Sequence, residues 1–120
     1  VEKVNPEKMI CTEHAAILAR MSEIGQITGA VIDGPFGLDN AVDPEAAELK
    51  GLSGDVAGNA DLILCPDISS ANVLYKSLAY LSGYDCGGIV AGTSAPVILT
   101  SRADSDDTKF ASIALAIATS

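Results

Sequence analysis

The residues most suited to chemistry in this sequence are a hydroxyl and a guanidinium that follow an apolar run. Ser101 and Arg102 stand directly after that run and shortly before an acidic helix start. A guanidinium presents a planar fork of donors that suits a phosphate or another oxyanion, and a hydroxyl and the NH groups of a helix start can donate to the same ligand. The alternative is that Arg102 forms a surface ion pair with Asp104, Asp106 or Asp107, which contributes little. The spacing favours an anion site and an ion pair equally.

A second group of polar residues lies in turns beside two other apolar runs. Asp33 begins an Asp-Gly-Pro turn after the run 27–32, and Asn59 comes just before the run 60–65. Such groups can face a ligand, but Asp-Gly-Pro is also ordinary turn chemistry. The glycines at 51, 54 and 58 do not have the spacing of a phosphate-binding or dinucleotide-binding loop. These residue types alone leave both a binding role and a turn role open.

The single histidine and the three cysteines form no pattern typical of a nucleophile or a metal site. His14 lies in a helical stripe of apolar residues, where a packed or boundary residue is commoner than a catalyst, and no triad pattern surrounds it. Cys11, Cys65 and Cys86 lack the paired spacing of a zinc site. Their odd number and irregular spacing indicate reduced thiols rather than a disulfide framework. We therefore expect no bound metal and a cytoplasmic location.

Helical and strand-like patterns alternate along the chain, and together they would position these residues. Helices are predicted over 6–24 with Asn5 as the N-cap, over 46–50 after Asp43-Pro44, from Ser69 or Ser70 to about 81, and after Ser105-Asp106-Asp107. Strands are predicted at 27–32, 60–65, 88–91 and 96–100. This alternation favours an α/β fold with a largely parallel sheet covered on both faces. In such folds ligands bind beyond the carboxyl ends of the strands, which places the expected site in loops 33–40, 66–72 and 101–107.

Composition limits the classes of function that the chain can have. It has 120 residues, 48% of them hydrophobic and 19% charged, which is ample material for the core of about one domain. Seven basic and 16 acidic residues give a net charge of −9, and the absence of a basic cluster disfavours nucleic-acid binding. No apolar run approaches the roughly 20 residues of a membrane-spanning helix. We expect a soluble domain with no nucleic acid and no membrane as partner, and the negative charge still permits a small anionic ligand, because backbone NH groups at helix starts can hold an anion.

Four blocks, in order across nearly the whole chain, form a more specific pattern than any single motif. They are Val31 to Ala41 (VIDGPFGLDNA), Val56 to Ile63 (VAGNADLI), Asn72 to Lys76 (NVLYK) and Pro96 to Arg102 (PVILTSR). Together they resemble phosphate acyltransferases, most closely the phosphate butyryltransferase branch. The resemblance implies an isocitrate/isopropylmalate-dehydrogenase-like α/β fold, with a largely parallel sheet flanked by helices on both faces, two domains around a cleft, and a homo-oligomer.

The resemblance also implies a reaction. A short acyl group, butyryl-like or branched, would move reversibly between coenzyme A and inorganic phosphate, so that acyl-CoA + phosphate = acyl phosphate + CoA. Coenzyme A is then a substrate, and the chemistry requires no metal and no cofactor. Members of the family are much longer, which implies that residues 1–120 correspond to their C-terminal part without the N-terminal domain. This part alone is then expected to be inactive, because half of the cleft is missing.

Ser101 and Arg102 match the Ser-Arg pair of the family and are therefore implied to be catalytic. The guanidinium would bind and neutralise phosphate, and the hydroxyl would donate to the developing oxyanion or to the departing sulfur. The acetyltransferase branch has an aspartate a few residues later, but counting without gaps reaches Thr108 here. The nearest carboxylates are Asp106 and Asp107, and we take Asp107 as the candidate base, although an acidic helix start also serves plain capping.

The other two matching positions are implied to bind substrate. Asp33 and Asn59 lie in the first two blocks and are expected to face the cleft. A non-catalytic module that keeps the fold and a CoA or phosphate site, or that serves assembly, is the alternative function. A third possibility is a fused protein in which a hydratase-like domain precedes the acyltransferase.

Overall fold

Helices account for nearly all the regular structure in the computed structural model, which describes residues 1–120. They are α1 (Ile10–Glu23), α2 (Leu38–Val42), α3 (Pro44–Leu49), α4 (Ile68–Lys76) with a π-helical extension (Ser77–Leu81), and α5 (Asp106–Ala118). The chain divides into two compact units, residues 1–66 and residues 67–120. None of the helices combines the length and the apolar character that a membrane crossing requires.

Helix α1 begins four residues later than the predicted start at residue 6. The Asn5 carbonyl accepts a hydrogen bond from the Met9 NH at 2.8 Å, which closes a separate turn ahead of the helix. Buried Thr12 stabilises this turn, because its Oγ1 accepts from the Asn5 NH and donates to the Met9 carbonyl, both at 2.8 Å. The prediction of a helix is confirmed, but the prediction that Asn5 is its N-cap is wrong.

Helix α3 begins at the cap-and-proline signal that the sequence contains. Asp43 Oδ1 accepts from the Ala46 NH at 3.0 Å, and Pro44 occupies the first helical position, where no NH is needed. The short helix α2 lies immediately before it, in a stretch for which the sequence predicted only a loop. The predicted helix over 46–50 is therefore confirmed, with its start two residues earlier.

Residues 56–60 lie against the junction between α2 and α3. The Gly58 NH donates to the Asn40 carbonyl at 2.9 Å, and the Ala60 NH donates to the Ala41 carbonyl at 3.0 Å. Gly58 is buried with φ +77°, and a Cβ at this position would lie 2.5 Å from Pro44 Cα. Glycine is required here both for its backbone conformation and for the close approach of the chain.

Replacing Gly58 with Ala is expected to destabilise the protein more than the same change at Gly51. Both residues have a left-handed backbone, φ +77° and φ +69°, but a Cβ at Gly51 would meet nothing within 4 Å. The Gly51→Ala control should cost about 1 kcal/mol through backbone strain, and Gly58→Ala roughly a further 1–3 kcal/mol through the clash with Pro44. Thermal unfolding of the complete gene product measures both; equal losses would contradict the close approach.

In the second unit, α4 and α5 both begin at a side-chain cap. Asp67 Oδ1 accepts from the Ser70 NH at 2.8 Å, so the cap of α4 is Asp67 rather than either of the serines predicted. Ser105 Oγ accepts from the Thr108 NH at 3.1 Å, which confirms the predicted start of α5. Each cap satisfies an NH group that the first helical turn leaves free.

A buried hydroxyl links α5 to the segment that precedes it. Ser112 is fully buried; its Oγ donates to the Thr108 carbonyl at 2.7 Å and accepts from the Gly88 NH at 3.0 Å. A Cβ at Gly87 would lie 3.2 Å from the Ala111 backbone. The two adjacent glycines therefore let this segment run close against α5.

The four predicted strands do not pair with one another in this chain. Segments 27–32, 60–65, 88–91 and 96–100 form no ladder, and a single antiparallel bridge joins Val90 to Val97. A ladder needs a second strand in register, and local apolar patterning does not show where that strand lies. Residues 1–120 therefore do not by themselves contain the largely parallel sheet that the sequence predicts.

Small side chains form the buried interior of residues 1–120. The buried hydrophobic residues are all alanines, namely Ala41, Ala47, Ala57 and Ala116. Large apolar side chains remain on the outside, and Val31, Leu62 and Leu99 are 70%, 80% and 80% exposed. The large core that the composition predicts is therefore not present within these residues.

Candidate functional site

Ser101 and Arg102 lie in a tight turn immediately before α5. The Asp104 NH donates to the Ser101 carbonyl at 3.1 Å, and the Ala103 NH donates to Ser101 Oγ at 3.3 Å. Both Ser101 and Arg102 are exposed. Because Ser101 Oγ is the acceptor in its bond with Ala103, the hydroxyl proton remains available for a ligand.

Arg102 forms no ion pair, although it stands among several acidic residues. The two other cations of the second unit are paired: Lys76 with Asp104 at 3.4 Å and Lys109 with Asp106 at 3.1 Å. The alternative interpretation, in which a neighbouring carboxylate neutralises Arg102, is therefore wrong. An exposed guanidinium without a counter-charge is well suited to receive an anion.

Asp107 lies in the first turn of α5 with its carboxylate exposed and without an ion pair. Its negative charge is favourable beside the positive end of the helix dipole, and the free carboxylate can also accept a proton. Thr108 is already used by the cap, because its NH donates to Ser105 Oγ and the Ser105 hydroxyl donates to its Oγ1 at 3.0 Å. Thr108 has no carboxylate that could accept a proton, so Asp107 is the candidate base in this turn.

A polar cavity of about 220 Å³ adjoins the turn. Its walls include Tyr75, Tyr80, Tyr84, Asp104, Ser105 and Thr108. Ser101 and Arg102 are not among the lining residues, but Ala103, the next residue of the turn, is. A second cavity of about 400 Å³, between residues 89–97 and the end of α5, has no charged side chain in its walls. The smaller cavity is therefore the one beside the groups that can bind an anion.

Asp33 and Asn59 belong to the first unit, and each is exposed outside the helices. Asp33 Oδ1 accepts from the Gly34 NH at 2.7 Å, and Asn59 Nδ2 donates to the Ala57 carbonyl at 3.3 Å. The second oxygen of Asp33 and the amide oxygen of Asn59 make no hydrogen bond within the chain. The structure thus places Ser101 and Arg102 in the turn before α5 and Asp107 in the first turn of that helix, while Asp33 and Asn59 lie outside the helices of the other unit.

The remaining polar residues of the first block stabilise the first unit. Lys50 Nζ donates to Glu2 Oε1 at 2.7 Å and to Asp39 Oδ2 at 2.8 Å, and fully buried Asn40 donates to the same Glu2 oxygen at 3.0 Å. The hydrogen bonds from Lys50 lower the pKa of the Glu2 and Asp39 carboxyls, and they raise the pKa of Lys50. This cluster stabilises the fold at neutral pH, and its contribution is lost as the pH falls through the lowered carboxyl pKa values.

The sequence analysis did not identify Asp104 and Lys76, whose interactions stabilise the turn that contains Ser101. Asp104 had been considered only as a counter-ion for Arg102, yet its carboxylate accepts from the Ser101 NH at 2.7 Å. That bond, with a smaller effect of Lys76, lowers the pKa of the Asp104 carboxyl. Two features of the sequence point to these residues. Ser101 and Asp104 are three residues apart, a spacing at which an aspartate side chain can hydrogen-bond to the backbone of a turn, and Lys76 lies in the third block.

Comparisons with known proteins identify relatives of this chain. A sequence profile of the family described as "Phosphate acetyl/butaryl transferase" matches residues 3–117. The phosphate butyryltransferase of Clostridium beijerinckii is 61% identical over 116 residues, which cover 97% of this chain and 38% of that protein. The phosphate acetyltransferase of Thermotoga maritima is 53% identical over 115 residues, which cover 96% of this chain and 39% of that protein.

The fold has a counterpart among solved structures. A crystal structure of a branched-chain phosphotransacylase from Enterococcus faecalis V583 superposes with a TM-score of 0.84 at 38% identity, covering 98% of this chain and 41% of that one. The chain thus spans about two fifths of the length of the relatives that it matches. The resemblance found in the four sequence blocks is confirmed, and the chain belongs to the phosphate acetyl/butaryl transferase family.

Proposed function

We propose that the protein carrying this chain transfers a short acyl group, butyryl-like or branched, between coenzyme A and inorganic phosphate. The observation that supports this most directly is that Arg102 has no ion-pair partner and that Ser101, its neighbour in sequence, has an unused hydroxyl proton. In a chain with a net charge of −9, an exposed arginine without a carboxylate partner is a specific place for a phosphate. The names of the relatives agree with this chemistry.

The two side chains would act on different parts of the reaction. When a phosphate oxygen attacks the thioester carbonyl, negative charge collects on the carbonyl oxygen of a tetrahedral intermediate. Arg102 would bind and orient the phosphate, and the Ser101 hydroxyl would donate to the developing oxyanion or to the departing sulfur. In the reverse direction, the thiol of coenzyme A loses a proton as its sulfur attacks the acyl phosphate.

We propose Asp107 as the base that accepts this thiol proton. Asp107→Asn is expected to lower the rate of acyl transfer from acyl phosphate to coenzyme A by about 100-fold, because an amide cannot take the proton. Asp106→Asn is the matched comparison, since Asp106 lies in the same first turn but is paired with Lys109 at 3.1 Å. A smaller loss for Asp107→Asn than for Asp106→Asn would assign the base elsewhere.

Asp33 and Asn59 are proposed to contact the substrates from the first unit. Both are exposed outside the helices, and each keeps a side-chain oxygen without a hydrogen-bond partner in the chain. Such oxygens accept hydrogen bonds from hydroxyl or amide groups, which coenzyme A carries in number. No metal and no cofactor is part of this proposal.

The fold of the whole protein is proposed to be the isocitrate/isopropylmalate-dehydrogenase-like α/β fold, assembled as a homo-oligomer. The unpaired apolar segments support this proposal, because Leu62 and Leu64, two residues apart, are 80% and 73% exposed. Side chains two residues apart lie on one face of a strand. These segments would join a largely parallel sheet whose other strands lie outside residues 1–120, with this chain as the C-terminal part of the protein.

The test is an assay of the complete gene product with butyryl phosphate, coenzyme A and phosphate. We expect phosphate release that depends on coenzyme A, and formation of butyryl phosphate from butyryl-CoA in the reverse direction. Binding of coenzyme A and phosphate by calorimetry, without turnover in either direction, would instead indicate a non-catalytic binding module. Acetyl and isobutyryl phosphates, compared in parallel, would establish which acyl chain the protein prefers.

A further inference from the structure

The turn that carries Ser101 and Arg102 is held by a carboxylate that hydrogen-bonds to neither of their side chains. Asp104 Oδ2 accepts from the Ser101 NH at 2.7 Å, and its Oδ1 accepts from Lys76 Nζ at 3.4 Å. The side chain of Asp104 is only 5% exposed. A carboxylate this buried has a defined orientation, because both of its oxygens have partners and solvent does not compete for them.

The lysine that pairs with Asp104 is itself held in position on α4. Lys76 Nζ lies 4.7 Å from the ring centre of Tyr75 and 5.2 Å from that of Tyr80, within the range of cation–π attraction. The Tyr80 hydroxyl donates to the Ala103 carbonyl at 3.0 Å. Helix α4 and its extension therefore hold the turn at two points, one at Asp104 and one at Ala103.

The pairing of Lys76 with Asp104 also affects Arg102, two residues from Asp104. A buried carboxylate without a counter-ion attracts the nearest available cation, and Arg102 is the unpaired cation of this unit. While Lys76 neutralises Asp104, the guanidinium stays free for phosphate. Without Lys76, the carboxylate and the phosphate would compete for Arg102.

We propose that Asp104 is a positioning residue for the Ser101–Arg102 pair, and that Lys76 keeps its carboxylate from capturing the Arg102 guanidinium. This inference rests on the proposed acyl transfer. It assigns two roles: Asp104 fixes the backbone of the turn, and Lys76 maintains the affinity for phosphate. The two roles predict different kinetic effects.

The first test removes the contact with the Ser101 NH. Asp104→Ala in the complete gene product is expected to lower kcat by about tenfold or more, because Ser101 is no longer held in place. Asp104→Asn should remain within about threefold of the wild type, since the amide oxygen can still accept from the Ser101 NH. Asp55→Asn, which changes an exposed carboxylate far along the chain from the turn, is the control. Equal activity of Asp104→Ala and the wild type would overturn the positioning role.

The second test separates the role of Lys76 from general stability. Lys76→Met is expected to raise the KM for phosphate by about tenfold, and the double variant Lys76→Met/Asp104→Asn should recover most of that loss, because the competing charge is gone. A purely structural role predicts a double variant no better than Lys76→Met. That result, or an unchanged KM in Lys76→Met, would overturn the proposed role of Lys76.

A readout without turnover distinguishes this inference from the proposed function. Amide hydrogen exchange of residues 101–104, measured by mass spectrometry, should be faster in Asp104→Ala than in the wild type. If the complete gene product shows no acyl transfer, the proposed function is wrong, and so is the proposal that this turn positions Ser101 and Arg102 for that reaction. Faster exchange would still show that Asp104 holds the turn, and unchanged exchange would overturn that contact as well.

Discussion

Arg102→Ala is expected to lower kcat/KM for phosphate in the complete gene product by about 1,000-fold, equivalent to about 4 kcal/mol of transition-state stabilisation. The guanidinium is exposed and forms no ion pair, so its removal breaks no salt bridge within the chain. The loss should therefore appear in activity and leave the unfolding temperature nearly unchanged. Steady-state kinetics with varied phosphate, together with thermal unfolding, measure both effects.

The sequence offers a matched control for this prediction, because Arg20 is the only other arginine in the chain. Arg20 lies on α1 and forms an exposed i,i+3 ion pair with Glu23 at 2.6 Å. Arg20→Ala should keep wild-type activity, since such pairs contribute little. Arg102→Lys should recover only part of the loss, because an ammonium keeps the charge but lacks the two-donor fork. Wild-type kinetics for Arg102→Ala would remove the guanidinium from the mechanism.

Ser101→Ala is expected to lower kcat by roughly 100- to 1,000-fold with a smaller change in KM for either substrate. The hydroxyl would donate where charge develops, so its removal affects the transition state more than the bound substrates. Ser101 Oγ also accepts from the Ala103 NH at 3.3 Å, a long bond whose loss should shift the unfolding temperature little. Pre-steady-state and steady-state rates with butyryl-CoA provide the measurement.

Ser94→Ala is the control for Ser101→Ala. Ser94 is an exposed serine of the same unit, in the wall of the cavity that has no charged lining. We expect wild-type kcat for this variant. A loss in Ser101→Ala that appears equally in kcat and in the unfolding temperature would indicate a structural hydroxyl and not an oxyanion donor.

Helix starts were predictable from the sequence at α3 and α5, whereas the cap of α4 is Asp67 and neither of the serines predicted. Asp43 with Pro44, and Ser105, cap their helices as expected, because each bond joins residues three apart in the chain. The prediction failed at Asn5, where Thr12, seven residues later, holds the chain in a separate turn. Capping is a local interaction, and it is predicted well only where no distant side chain competes for the same residue.

Sheet pairing was not predictable from the same patterns. The apolar runs at 27–32 and 60–65 have the composition of buried strands, yet Val31 and Leu62 are exposed and neither run forms a ladder. Hydrophobic periodicity and β-branched residues indicate that a segment is suited to be a buried strand. They do not show which other strand pairs with it, because that strand can be distant in sequence. Four ordered blocks nevertheless carried enough information to identify the family.

The sequence by itself determined the family and the capped helix α5, and it predicted Ser101 and Arg102 as site residues. Only the tertiary structure decided whether Arg102 is free, because that depends on which cation neutralises Asp104. Lys76, which is 28 residues from Asp104 in sequence, pairs with the Asp104 carboxylate at 3.4 Å, although Arg102 is only two residues away. Charge pairing depends on distance in space, and folding brings α4 to the turn while the guanidinium remains exposed.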